Sequence, residues 1–378
     1  MSQISQNAAS LPTFLTTSSI RQNAQTTTAT PERRPREKVA IVLNGNARAV
    51  DDRLVSDLRG LLQDETLYVS HSLDQSRFIA RTIVNRGYDV VLCGGGDGTF
   101  TQVVSDIAAL QPRKLPTMGI LRLGTGNALA TVLGARGGSK GIAADLRAIR
   151  SPQRRTTLDL LDVEGRLAPF AGAGLDAMIL EDYDAIRQGV VGRAIGGRIN
   201  GPLGYGLAIA GRSMWRIARN ERPIVTIRNE GNPVYRMDHD GHRIGQPLPR
   251  GTILHHGPVT LAAASTIPNY GFQCRLFPQA DTLSGRFQLR VTQVGPFEVV
   301  SQLPKLFSGE IRSKKVQDYA CTAVSMHLNE GTAFQIGGDL VSKRHSIRLG
   351  LRQIEVALGS DADLPQQDSA RVALHAIA

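Results

Sequence analysis

The chain has 378 residues, which is more than a single hydrophobic core usually holds, and this length predicts two domains. Hydrophobic residues make up 41% of it and charged residues 20%, and no apolar run approaches the roughly 18 residues that a membrane-spanning helix needs. The formal net charge of +11 favours negatively charged partners, which include nucleic acid, an anionic lipid surface and a phosphorylated substrate. The three cysteines are far apart and form no CxxC pair, so the composition suits the reducing cytoplasm and argues against a structural zinc site.

Residues 1–37 differ from the rest of the chain because they are rich in Ser, Thr, Gln, Ala and Asn and poor in apolar side chains. This composition predicts a disordered tail. A transit peptide is a poorly supported alternative, and the stretch contains no signal-peptide core. The basic run Arg33–Lys38 could add electrostatic attachment to an anionic membrane surface.

Between residues 38 and 155, short apolar runs alternate with helical patterns. The runs that predict strands are Val39–Asn46, Leu67–Ser70, Asp89–Cys93 and Met118–Leu123. This alternation predicts an α/β domain with a parallel sheet, and ligands bind such sheets at the carboxyl ends of the strands. The polar and Gly-rich loops at those ends are Asn44–Arg48, Ser70, Gly94–Thr99 and Gly124–Asn127.

From residue 156 to residue 351 the pattern becomes mainly β, which predicts a sandwich domain. The strand candidates are Thr157–Asp162, Pro223–Asn229, Gly257–Ser265, Arg286–Val294, Thr322–Leu328 and Ala333–Gly338. A basic helical segment at residues 187–222 interrupts them, and it is equally consistent with a membrane-facing lid and with a core helix that has a solvated basic face. Residues 352–378 are predicted to be a C-terminal tail that could pack back on the protein.

The stretch VVLCGGGDGTFTQ, Val90–Gln102, combines a predicted strand with an unusually bare loop. Successive N–H groups without Cβ atoms allow a phosphate to approach closely, and the start of a following helix adds a favourable dipole. The spacing fits neither a Walker A loop nor a Rossmann fingerprint. Asp97 is unexpected there, because a carboxylate repels phosphate unless it holds Mg²⁺ or takes a proton from a nucleophile. The alternative is an ordinary Gly-rich turn in which Asp97 is a cap.

A second turn, LRLGTGNALA at Leu121–Ala130, repeats this pattern one βα unit later, and the two turns predict one cleft. With LNGNARAV after the first strand and FAGAGLDA at Phe170–Ala177, these motifs resemble the diacylglycerol kinase catalytic-domain family. That family of lipid kinases includes sphingosine kinases and bacterial diacylglycerol kinases. The resemblance extends over about Lys38–Leu351.

The resemblance implies an N-terminal α/β domain akin to phosphofructokinase and NAD kinase, a C-terminal β-sandwich, and ATP with Mg²⁺ in the cleft between them. Asp97 would hold the catalytic Mg²⁺ or orient the nucleophile, and Asp339 would accept the proton of the acceptor hydroxyl. Asp176 either lines the acceptor side or forms a structural turn. The nucleotide site implied by the resemblance comprises Asn44, Gly45, Asn46, Ala47, Arg48, Ser70, Gly95, Gly96, Asp97, Gly98, Thr99, Gln102, Gly124, Thr125, Gly126 and Asn127.

Several acidic positions of the family are altered in this chain. Thr101 and Gln102 stand where an asparagine and an acid are usual, and Ala128 replaces another acid. In the late Asp-Gly-Glu turn, Gly337 replaces the first acid and Asp339 the glutamate. A structural-metal loop falls on Asp281, Ser284 and Arg286, where a serine and an arginine predict that no tight structural Mg²⁺ binds.

Three functions remain open. The first is an ATP-dependent lipid kinase that acts on a hydroxyl of a diacylglycerol-like or sphingoid lipid at a membrane surface, with a cytoplasmic and peripherally membrane-associated location. The second is a catalytically weak, kinase-fold regulatory protein that binds lipid or nucleotide, and the third is a kinase of a soluble acceptor, as in NAD kinases. Nucleic-acid binding has only the basic charge behind it and is not expected. A homodimer is left open.

Overall fold

The computed structural model describes residues 37–362, with gaps at 48, 63–65, 125–126, 189–218, 220–221, 271–273, 296–297, 299–300, 302–304 and 306–307. Three residues of the implied nucleotide site, Arg48, Thr125 and Gly126, lie outside the described residues. The same holds for most of the basic segment at 187–222, for all of the predicted N-terminal tail except Glu37, and for residues 363–378.

The N-terminal part is an α/β unit with a parallel sheet, as the sequence predicted. Its strands are β1 (Val39–Asn44), β2 (Thr66–Ser70), β3 (Val90–Gly95) and β4 (Thr117–Arg122). Its helices are α1 (Asp52–Leu61), α2 (Leu73–Arg86), α3 (Asp97–Ala109), α4 (Ala128–Val132) and α5 (Gly138–Ile149). The four strands are parallel and lie in the order β4, β3, β1, β2, so their carboxyl ends meet at one edge.

Strand β3 explains why the apolar runs of this part are continuous instead of alternating. All six of its residues are buried. Val91 and Cys93 belong to a core cluster that contains residues of α2 and α3, whereas Val90 and Leu92 belong to a cluster that contains residues of α1 and α5. Since helices cover both faces of the sheet, both sets of side chains must be apolar.

The region after α5 is rich in strands and confirms the predicted mixed α/β class. Its strands are β5 (Arg155–Val163), β6 (Arg166–Ala168), β7 (Phe170–Gly174), β8 (Ile224–Asn229), β9 (Val234–Met237), β10 (Arg243–Leu248), β11 (Ile253–Pro258), β12 (Leu261–Ser265), β13 (Phe287–Thr292), β14 (Val316–Cys321), β15 (Val324–Ile336) and β16 (Asp339–Ala357). Helix α6 (Leu175–Gln188) follows β7. Apolar side chains from most of these strands share one buried core cluster.

Strand β16 connects the two parts of the molecule. It is 19 residues long, pairs with β15 and β5 in antiparallel fashion, and near its end places Val356 beside Met118 of the parallel strand β4. It continues across the boundary that the sequence suggested at residue 351. The first residue of β16 is Asp339, the predicted proton acceptor.

Two strand predictions differ from the structure in their boundaries. The predicted strand Gly257–Ser265 is divided between β11 and β12, because the pairing partner changes there. β11 ends at Pro258 and pairs with β8, whereas β12 pairs with β7 and β13, and Thr260 N donates to Thr292 O at 2.7 Å. Conversely, the runs predicted at Thr322–Leu328 and Ala333–Gly338 join in the single strand β15, whose pairing with β16 is irregular around Thr332.

Candidate functional site

The loops at the carboxyl ends of the parallel strands line a cleft of about 910 Å³, a size typical of small-molecule sites. The residues of the implied nucleotide site that line it are Asn44, Asn46, Ala47, Ser70, Gly96, Asp97, Gly98, Thr99, Gln102 and Gly124. The turn Gly337, Gly338 and Asp339 lines it from the strand-rich region. Residues that are 200 and more positions apart in the sequence therefore share one cavity.

The loop after β1 is held by its two asparagines. Asn44 Nδ2 donates to Thr99 Oγ1 at 3.1 Å, which ties the end of β1 to the first turn of α3. Asn46 N donates to Asn44 Oδ1 at 3.0 Å, and Asn46 Nδ2 donates to His71 O at 2.9 Å. Gly45 is packed beneath the cleft lining, because a Cβ atom there would lie 2.1 Å from the His71 ring. The asparagines thus hold three neighbouring loops together.

The glycines of the two predicted turns make direct backbone contact. A Cβ atom on Gly124 would lie 2.3 Å from Gly96 Cα, and one on Gly95 would lie 2.3 Å from Thr99 Oγ1. Asn127, in the same turn, donates from Nδ2 to Gly124 O at 2.7 Å. Gly96 is the N-cap residue of α3 and no side chain caps that helix. The first-turn N–H groups of a helix have no partners within the helix, so this terminus favours an anion.

Asp97 joins the two turns. It is buried, its Oδ2 accepts a hydrogen bond from Ala128 N at 2.9 Å, and its Oδ1 accepts one from Leu129 N at 2.9 Å. These are the first two amides of α4, whose own N-cap residue Asn127 makes no side-chain cap bond. The carboxylate at the start of α3 therefore caps α4.

The stability of the protein should depend on the ionisation of Asp97. Burial raises the pKa of Asp97 above its ordinary value, and the amides of Leu129 and Ala128 offset only part of this rise. The folded state therefore binds the proton more tightly than the unfolded state. Protonated Asp97 stabilises the folded state below about pH 4, and this stabilisation is lost as pH rises through the folded pKa. Urea unfolding of the wild type and Asp97→Asn across this pH range measures the free energy of unfolding of each. Parallel pH profiles of the two free energies would contradict the prediction.

The turn before Asp339 needs glycine. Gly337 and Gly338 have φ angles of 62° and 91°, in the left-handed region that side chains disfavour. A Cβ atom on Gly98 would lie 3.9 Å from both carboxylate oxygens of Asp339, which places this carboxylate beside the first turn of α3. Arg166 Nη2, on β6, donates to Asp339 Oδ2 at 2.5 Å. Arg166 was not predicted as a partner of Asp339, because 173 residues separate the pair.

Gln102 and Thr101 are two of the positions at which the chain departs from the family's motifs, and the structure shows what surrounds each. Gln102 Nε2 donates to Asp106 Oδ1 at 2.8 Å, and Ser76 Oγ donates to Asp106 Oδ2 at 2.9 Å. Asp106, one helical turn further along α3, is a carboxylate that the sequence did not single out. Thr101 is fully buried, and a Cβ atom on Gly337 would lie 3.1 Å from its Oγ1, so α3 meets the Gly337 turn here.

The predicted structural-metal position contains a guanidinium. Arg286 Nη1 donates to Pro233 O at 2.9 Å and to Ala320 O at 3.2 Å, and the Arg286 guanidinium lies 4.8 Å from the centre of the Tyr235 ring. Asp281 Oδ2 lies 3.9 Å from Arg275 Nη2, and Ser284 is exposed. Among the described residues, no three His, Cys, Asp or Glu side chains form a cluster that could hold a metal ion. The expectation that no structural Mg²⁺ binds there stays a prediction.

Residues 38–161 match the family model of the diacylglycerol kinase catalytic domain. The matched segment is thus similar to that catalytic domain. This segment includes β1 to β4 and both Gly-rich turns, so the family resemblance inferred from those motifs is confirmed. None of the helices in the described part of the chain has the length and hydropathy required to cross a membrane.

Two curated relatives are named lipid kinases. The chain is 34% identical over 98 residues to the probable lipid kinase YegS-like of Citrobacter koseri, and 33% identical over 101 residues to the probable lipid kinase YegS of Escherichia fergusonii. Each match covers 25% of this chain and 32% of the relative, so the similarity spans about a third of the relatives' length.

The whole fold is similar to that of a solved diacylglycerol kinase from Bacillus anthracis, with a TM-score of 0.55 and 14% sequence identity. The superposition covers 85% of this chain and 97% of that chain. At this identity the likeness shows the fold alone, and it extends beyond residues 38–161 into the strand-rich region.

Proposed function

We propose that this protein is an ATP-dependent lipid kinase that phosphorylates a hydroxyl of a diacylglycerol-like or sphingoid lipid. One observation carries the proposal: the uncapped start of α3 and the carboxylate of Asp339 lie side by side on one cleft. Phosphoryl transfer requires a site that holds phosphate oxygens next to a modest base, and little covalent chemistry from the protein. The lipid-kinase names of the relatives support the same reaction class.

The described loops fit the triphosphate of ATP. Gly96 and Gly124 touch backbone to backbone, and no side chain caps the start of α3 with a hydrogen bond. Asn44 and Ser70 add polar atoms to the cleft lining. These groups would bind phosphate oxygens through hydrogen bonds and the helix dipole, which requires no lysine of the Walker A type.

The residues also fit an Mg²⁺ ion that arrives with the nucleotide. Each Asp97 oxygen accepts one amide hydrogen bond and keeps a second lone pair, so Asp97 would be the protein ligand. Mg²⁺ at phosphate sites commonly uses only one or two carboxylates. When bound, it would neutralise charge on the phosphate oxygens.

Asp339 would take the proton of the acceptor hydroxyl. Its side chain is 56% exposed and lines the cleft, and Arg166 donates to one of its two oxygens.

We further propose that the acceptor is presented at an anionic membrane surface, with the protein bound peripherally from the cytoplasm. The net charge of +11 supports this. A homodimer stays a prediction.

Replacing Asp339 by asparagine is expected to lower the turnover number for lipid phosphorylation by about 10²–10⁴-fold, the usual contribution of a general base. Purified protein is incubated with labelled ATP, Mg²⁺ and a panel of lipids in mixed micelles, and labelled lipid is measured. Asp240→Asn is the matched control, because Asp240 is 57% exposed and pairs with Arg312 at 2.8 Å without lining the cleft.

Each outcome assigns one of the three functions. Labelled lipid that depends on Asp339 supports the lipid kinase. Nucleotide binding without label on any lipid would replace it by the regulatory lipid- or nucleotide-binding protein, and transfer only to a soluble acceptor such as NAD would favour the NAD kinase-like alternative. Full activity of Asp339→Asn would refute only the assignment of the base.

A further inference from the structure

A partly buried polar cluster lies behind the turn that carries Asp339. It consists of Asp176 in the first turn of α6, Tyr270 and Gln335 on β15. The Tyr270 hydroxyl donates to Asp176 Oδ2, and Gln335 Nε2 donates to the same oxygen at 3.1 Å and to the Tyr270 hydroxyl oxygen. Gln335 is only 1% exposed, and Asp176 is not among the residues that line the cleft.

The orientation of Gln335 links this cluster to the turn. Its amide nitrogen faces Asp176, so its amide oxygen faces the opposite way and accepts a hydrogen bond from Gly338 N at 2.9 Å. Gly338 directly precedes Asp339. The other glycine of the turn, Gly337, donates from N to Phe170 O at 2.8 Å. Besides the pairing of Ile336 with Asp339 between β15 and β16, these two hydrogen bonds hold the turn, and one of them depends on which way the Gln335 amide points.

A carboxylate is the group that fixes this direction. An ionised carboxylate only accepts hydrogen bonds, so Asp176 Oδ2 takes the N–H end of Gln335 and the O–H of Tyr270. An asparagine at position 176 could also donate, which would allow the Gln335 amide to turn over and remove the acceptor from Gly338. Burial raises the pKa of Asp176 above its ordinary value, and the hydrogen bonds from Tyr270, the Ala177 amide and Gln335 offset only part of this rise.

We propose that Asp176 is a positioning residue for the proposed phosphoryl transfer, which acts through Tyr270 and Gln335 to hold the Gly337–Gly338 turn and so place Asp339 at the start of α3. The inference rests on the proposed function, because it assumes that Asp339 meets the acceptor hydroxyl. Asp176 itself touches neither nucleotide loops nor Asp339 in the described contacts. Its effect is transmitted by the Gln335 amide.

Kinetics give the first test. Asp176→Asn and Gln335→Ala are each expected to lower kcat for lipid phosphorylation on the order of 10-fold to 100-fold, since small displacements of a reacting group have effects of this size. The KM for ATP should change less than about twofold, because the loops that would bind ATP keep their contacts. Tyr270→Phe retains the ring stacked on Phe170 at 4.4 Å between centroids and should lower kcat less.

The matched control is Asp145→Asn. Asp145 is a fully buried carboxylate that accepts hydrogen bonds from Arg136 N at 2.7 Å and Ser360 N at 2.7 Å, outside the cleft and the turn. Its substitution should lower the free energy of unfolding without lowering kcat. An equal loss of kcat in this control would show that general destabilisation explains the Asp176 effect, and would overturn the proposal.

A thiol probe tests the position of the turn without any kinase reaction. Cys93, Cys274 and Cys321 are buried, so the thiol introduced by Asp339→Cys should be the fastest to react with a charged disulfide reagent. Adding Asp176→Asn or Gln335→Ala is expected to change its reaction rate about tenfold, whereas adding Asp145→Asn should leave it within about twofold. Unchanged rates with Asp176→Asn and Gln335→Ala would overturn the positioning role. Absence of lipid phosphorylation by the wild type, with the rate change intact, would instead refute the proposed function.

Discussion

Asp97→Ala is expected to weaken ATP binding on the order of 10-fold to 100-fold even when no Mg²⁺ is present, and to lower the free energy of unfolding by about 2–3 kcal/mol. The reason is that Asp97 accepts the amides of Ala128 and Leu129, which are buried and have no other acceptor at that helix start. Without the carboxylate, α4 loses its cap and the turn at Gly124 loses its fixed position against Gly96. The groups that would receive the phosphates then no longer face one another.

Calorimetric titration with ATP, once with Mg²⁺ and once with EDTA, separates this role from metal binding. A residue that only ligates Mg²⁺ would leave ATP binding in EDTA unchanged, whereas a residue that holds the two turns together affects both titrations. Asp97→Asn should be intermediate, because the asparagine oxygen can accept one of the two amides but its nitrogen cannot accept the other. Asp240→Ala, at an exposed position outside the cleft, provides the control. Wild-type affinity of Asp97→Ala in EDTA would contradict the bridging role.

The parts of the site that follow from neighbouring residues could be predicted from the sequence. Apolar runs that end in glycine and asparagine gave β1, β3 and β4 to within a few residues, because the burial of both sheet faces leaves a local pattern. Parallel strands then bring their carboxyl ends to one edge, so the meeting of the Gly96 and Gly124 turns was predictable without knowing any contact distance.

The partners of the acidic residues could not be predicted in this way. An acid among glycines suggested a metal ligand, a proton acceptor or a cap of its own turn, but the helix that Asp97 caps begins 31 residues later. Arg166 and Asp339 are brought together only when β6 and the start of β16 take their places in the sheet. Strand β7 was not predicted, because FAGAG consists mostly of small residues and shows no alternation of apolar and polar side chains. All five of its residues are buried. Interactions between distant segments leave no periodic signal.

A second large effect is expected in the strand-rich region, where Asp318→Ala should lower the free energy of unfolding by about 3–5 kcal/mol. Arg290 and Asp318 form a bidentate pair with Nε to Oδ1 and Nη2 to Oδ2 distances of 2.8 Å, and both side chains are 2% exposed. Removal of the carboxylate leaves the Arg290 charge buried with Leu276 O as its remaining acceptor among the described bonds. Urea unfolding measures the loss, and Asp74→Ala, which breaks a surface pair with Arg77, should cost less than about 1 kcal/mol.

The double variant Arg290→Met with Asp318→Leu shows what the pair contributes. If the loss in Asp318→Ala comes from an uncompensated charge, removing both charges should restore stability to within about 1–2 kcal/mol of the wild type, because apolar side chains do not carry the desolvation cost of the ions. Full recovery is not expected, since Leu276 O loses its donor and Gln288 keeps only Gln279 Oε1 as acceptor for its amide nitrogen. A double variant less stable than Asp318→Ala would mean instead that the ion pair itself holds β13 and β14 to the segment around Leu276, and the stability of this region would then depend on a favourable buried charge interaction.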